Sequence, residues 1–124
     1  MKNLMFIFLL VFFNSYSQEK EKIIFLFEDG KDNIFKKRNE TVYRINNNHT
    51  FRFTEKKHKK SKTEYKSVKG KIISYNDFLK KNKEKKYPEF FNEYSFYIFI
   101  LEKDGIGCLI EVEKVWLVEE KITD

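Results

Sequence analysis

The amino-acid sequence predicts an α+β fold: a small, mainly antiparallel β-sheet of about six strands with one short helix near residues 76–86. Three observations carry that reading. Apolar and polar residues alternate with period two in separate stretches, among them 42–45, 50–54 and 108–113. Turn-forming residues, Asp29-Gly30 and Asn46 to His49, fall between such stretches. Only "SYNDFLKKNKEKKYP" joins a helix-capping residue to lysines gathered at the far end, as the helix dipole favours. An all-β barrel or sandwich is the alternative.

The 124-residue chain opens with "MKNLMFIFLLVFFNSYSQEKEK". Lys2 is a charged leader, Leu4 to Phe13 is an unbroken apolar run, and Ser15 and Ser17 are small residues of the kind a signal peptidase accepts. Cleavage between Ser17 and Gln18 is the expectation. It makes 1–17 a signal peptide and 18–124 a single globular domain, secreted or periplasmic. The apolar run is shorter than the roughly 20 residues a spanning helix needs, so no transmembrane span is expected in the mature chain. Cys108 is the one cysteine and has no partner for an internal disulfide. Its place in the alternating "GCLIEVE" predicts a small buried side chain.

The elements follow in order. Ile23 to Phe27 reads as a strand, and Asp29-Gly30 predicts a hairpin to a return strand near 33–37. "TVYRINNNHTFRFTE" predicts a second hairpin, with Tyr43 and Ile45 on one face and Val42 and Arg44 on the other. Phe51 and Phe53 share a face opposite Thr50, Arg52 and Thr54. Residues 56–64 hold no apolar side chain and read as an exposed loop, and 65–74 as a weak strand. Ser74 or Asn76 caps the helix, which Pro88 stops from continuing. Phe90 and Phe91 then plug the core. "YSFYIFILE" is apolar on both faces and predicts a central strand covered on both sides. Asp104 to Gly107 forms a turn, and a last strand follows with a parity shift, hence a bulge or break, near Lys114.

Several chemistries leave no trace. His49 and His58 are the two histidines, and neither has a second ligand at zinc spacing. Glu28, Asp29 and Asp32 lack the spacing of a calcium loop. Nucleophile, phosphate-loop and dinucleotide motifs are missing. Glu111 and Glu113 alternate with apolar residues, as on the wet face of a strand. These features point away from an enzyme and predict no cofactor and no metal.

Charge is the strongest signal. Residues 36–86 carry 18 basic and 5 acidic side chains, and residues 87–124 carry 3 and 9. Five lysines stand within "KKHKKSK" at 56–62. Lys56, Lys57, Lys59, Lys60 and Lys62, with Lys80 and Lys81 of the helix, are the candidate anion-binding residues. In an exported protein the candidate partners are anionic envelope lipid or polysaccharide, or an acidic protein, and chromosomal DNA is not expected. The sequence thus predicts a small exported binding module with a basic surface. The alternatives are a protein–protein or inhibitor-type module, or an enzyme whose site forms only in three dimensions.

Overall fold

The computed structural model describes residues 20–46 and 49–116. The expected cleavage site, Ser17 and Gln18, lies outside them. Seven strands form one open, mixed sheet with two short helices, so the α+β fold holds and the sheet does not close into a barrel.

The strands are β1 (Glu21–Leu26), β2 (Asn33–Lys36), β3 (Glu40–Ile45), β4 (His49–Thr54), β5 (Lys60–Glu64), β6 (Tyr94–Leu101) and β7 (Ile106–Val115). Their spatial order is β1-β6-β7-β4-β3-β2, with β5 also paired to β7. The ten-residue β7 has room for two partners on one side. Its start, Ile106 to Ile110, pairs with β5, and Glu113 to Val115 pairs with β4. Every pairing is antiparallel except that of β1 with β6.

That parallel pairing overturns the first predicted hairpin. β1 and β2 stand at opposite ends of the strand order, and Asp29-Gly30 forms only a local turn, in which the amides of Lys31 and Asp32 donate to the Glu28 carbonyl. The reason lies in burial. Ile23, Ile24 and Phe25 are all buried, whereas every residue of β2 is exposed. A strand apolar on both faces gains more beside β6, itself apolar on both faces, than beside an exposed edge. Asp32 secures the link. Its buried carboxylate accepts from the backbone amides of Glu28, at 2.8 Å, and Asn46, at 3.0 Å.

Helix α1 (Tyr65–Val68) continues into a 3-10 turn at Lys69–Lys71, where a weak strand is predicted. Val68 there packs with Ile24 and Phe99 in a small second core, and Ile72 touches β1 only as an isolated bridge to Ile24. Helix α2 (Tyr75–Lys81) is capped as expected: the Ser74 hydroxyl accepts from the Asp77 amide. It ends at Asn82, short of the predicted 86, because Asn82 turns inward and is buried.

Tyr75 and Phe78 of α2, with Phe90 and Phe91 of the 3-10 turn Glu89–Glu93, fill the main core against Phe25, Phe51 and Phe96. Phe78 is fully buried, its ring edge-on to that of Phe96 at 5.5 Å. Main core on one face and Phe99 on the other make β6 the doubly covered strand that its sequence predicts. In the second hairpin Tyr43, Ile45, Phe51 and Phe53 all enter the main core. Of the bulge or break expected near Lys114, no bulge forms: β7 runs through Lys114 and ends at Val115. Val112 and Val115 are buried on opposite faces, which produces the apparent parity shift. Ile106 already begins β7, so the preceding turn is tighter than predicted and centres on Asp104 and Gly105, both at positive φ. Cys108 is half-buried against the main core rather than sealed.

Candidate functional site

The lysine run is not one loop. Thr54 ends β4, and its carbonyl accepts from the amides of Lys57 and His58, at 3.0 and 2.9 Å. Its own amide donates to Nδ1 of His58 at 2.9 Å. His58 therefore serves as the staple of the turn. At the next residue the Lys59 carbonyl accepts from the Glu111 amide at 2.9 Å, and the Lys59 amide donates to Oε1 of Glu111 at 3.2 Å. From Lys60 onward the chain is β5. The predicted loop over 56–64 is thus a turn followed by a strand. Sequence reasoning missed the strand because an edge strand with exposed side chains shows no apolar period.

This arrangement divides the seven predicted lysines. Lys60 lies over the Phe53 ring at 4.5 Å. Lys62 is paired with Glu102, and that hydrogen bond holds its ammonium more firmly protonated than usual. Lys81 pairs with Glu21 at 2.7 Å, which ties α2 to β1. Lys80, exposed beside it, belongs to that far side of the fold. Lys56, Lys57 and Lys59 are exposed, with no carboxylate partner for their side chains among the described residues.

The β3–β4 ladder supplies neighbours for these three. Its last pair is Glu40 with Thr54. The Lys37 amide donates to the Glu40 carbonyl at 2.8 Å, so the turn between β2 and β3 leaves the ladder at the same end as the turn after β4. That turn reads "KKRN", and Lys36, Lys37 and Arg38 are exposed. Partners on adjacent antiparallel strands sit about 5 Å apart at Cα, so the two turns lie side by side. Six cations, Lys36, Lys37, Arg38, Lys56, Lys57 and Lys59, meet three carboxylates at this end, Glu40, Glu55 and Glu111, the last engaged with the Lys59 amide. The sequence shows both basic runs, but only the register of β3 against β4 makes them adjacent.

Two cavities are lined by residues of these elements. One, of about 250 Å³, lies beside Asp32, Asn46 and Tyr75. The other, of about 310 Å³, lies between His58, Glu111, Glu113 and Trp116. Among the described residues no group of three or more histidine, cysteine or acidic side chains could hold a metal. Glu111 is engaged with the Lys59 backbone, and Glu113 accepts from Arg52 at 3.2 Å. Against known protein families, curated proteins and solved structures, the chain matches none.

Proposed function

We propose that this chain is a small exported binding module whose basic sheet end attaches it to anionic partners. The observation that supports this reading is the juxtaposition of two basic turns, "KKR" and "EKKHK", at one end of the β3–β4 ladder. Some lysine side chains elsewhere, Lys62, Lys81, Lys85 and Lys86 among them, pair with carboxylates. The side chains at this end instead project from two stapled turns toward solvent. Mutual repulsion at such a density is relieved by a polyvalent anion, and salt screens the attraction within about 8 Å at physiological ionic strength. Envelope lipid and acidic polysaccharide carry the matching charge, and an exported protein meets both.

The test is retention on immobilised heparin under a salt gradient. A variant with Lys36, Lys37, Arg38, Lys56, Lys57 and Lys59 changed to Gln should elute at much lower salt. Changing Lys80 and Lys81 to Gln should shift elution little. Equal retention of the six-site variant and the parent would defeat the reading.

A further inference from the structure

The basic end also carries exposed apolar surface that a soluble polyanion does not require. Ile34 is 42 % and Phe35 44 % exposed, and they lie on β2 immediately before Lys36, Lys37 and Arg38. β2 is the last strand of the sheet order, and its outer edge has no strand partner among the described residues. Ile34 pairs with Tyr43 and Phe35 with Val42, so the two side chains leave opposite faces of the strand and flank its free edge. The Arg44 guanidinium lies 5.2 Å from the Phe35 ring centre, which adds a cation beside the apolar group.

We infer that this corner of the fold docks edge-on to an anionic lipid surface, Ile34 and Phe35 entering the interface while the two basic turns engage lipid phosphates. The inference rests on the proposed anion-binding role and names its partner. Charge complementarity selects the anionic surface, since cations gain energy beside it and lose that gain with added salt. Exposed apolar side chains ringed by lysine and arginine are the pattern that holds a protein at the boundary of headgroups and acyl chains. The contact is made at the corner where the β2 edge meets the two turns: the turn after β4 stands two strands, about 10 Å, behind that edge, and its lysine side chains extend toward the same surface. The backbone groups of the free edge stay at headgroup depth, where water and phosphate satisfy them. A second copy of the chain is the less favoured occupant, because Lys36 and Lys37 would oppose β2-to-β2 pairing.

The test uses protein purified from its host, floated with phosphatidylcholine vesicles and with vesicles containing about one third phosphatidylglycerol, alongside heparin retention. The parent should float with the anionic vesicles only. Changing Ile34 and Phe35 together to Ser should lower that partition about tenfold and leave heparin retention unchanged. The six-cation variant should lose both activities. Circular dichroism and Tm should match the parent in each variant, since the altered side chains are exposed. Heparin retention without vesicle binding by the parent would overturn the lipid assignment and keep the anion-binding reading. Undiminished flotation of the serine variant, or a parent dimer that this variant abolishes, would likewise overturn it. Retention of both activities by the six-cation variant would overturn both readings.

Discussion

The Tyr94 hydroxyl donates a 2.6 Å hydrogen bond to Oδ1 of Asn82, and Nδ2 of Asn82 donates back to the Phe78 carbonyl at 2.9 Å. Asn82 is 1 % exposed, so this pair joins the end of α2 to the first residue of β6 inside the protein. Asn82→Ala should lower stability by about 2–3 kcal/mol, because it removes the acceptor of the Tyr94 hydroxyl, which keeps only a 3.4 Å bond from Lys85 Nζ, together with a donor to the Phe78 carbonyl. Tyr94→Phe should cost about 1–2 kcal/mol. Urea unfolding of both single variants and the double variant checks the coupling, and the double variant should lose less than the singles added together.

Gly107 tests the pairing of β6 with β7. A Cβ there would stand 2.4 Å from the Ile100 carbonyl oxygen and 2.5 Å from Cζ of Phe99, a ring that is itself fully buried. Neither neighbour can retreat without opening the sheet or the second core. Gly107→Ala should therefore destabilise the fold by on the order of 3 kcal/mol, read as a drop in Tm. Gly70→Ala, where nothing lies within 4 Å, is the control and should leave Tm nearly unchanged.

Burial, reinforced by the nearby Cys108, pushes the Tyr43 hydroxyl up to about 12. Burial also raises Tyr75 above the ordinary phenol range, with a smaller contribution from Tyr87. Both groups hold their protons more tightly when folded than when unfolded. Below the unfolded value near 10 the two states carry the same proton, and stability is intact. Above it the unfolded chain ionises first, so stability falls as pH rises from about 10 to 12. The loss from Tyr43 should reach about 2–3 kcal/mol. Tyr43→Phe should flatten that decline, which denaturant titrations at stepped alkaline pH would show.

Thr50 is 2 % exposed, and its hydroxyl has no hydrogen-bond partner among the described residues. Val has nearly the same shape without the polar atom. Thr50→Val should raise stability by about 1 kcal/mol, measured as a higher urea midpoint at unchanged slope. A loss of stability would mean that the hydroxyl is satisfied after all.

The sequence by itself determined what is local. Period-two alternation placed Tyr43, Ile45, Phe51 and Phe53 on one face, because side chains of a strand must alternate. Ser74 marked the start of α2, because a hydroxyl at that position satisfies an orphan amide. Apolar residues on both faces marked β6 as a covered strand. The tertiary structure decided what depends on partners distant in sequence. Asp29-Gly30 permits a hairpin, yet β1 pairs with β6, since burying both its faces outweighs a short-range turn. Asn82 looks like one polar residue among lysines until Tyr94 arrives to accept it into the core. "KKR" and "KKHK" are two separate runs along the chain, and only the pairing of Glu40 with Thr54 makes them one surface. Register is a property of two strands together, so no single stretch of sequence encodes it.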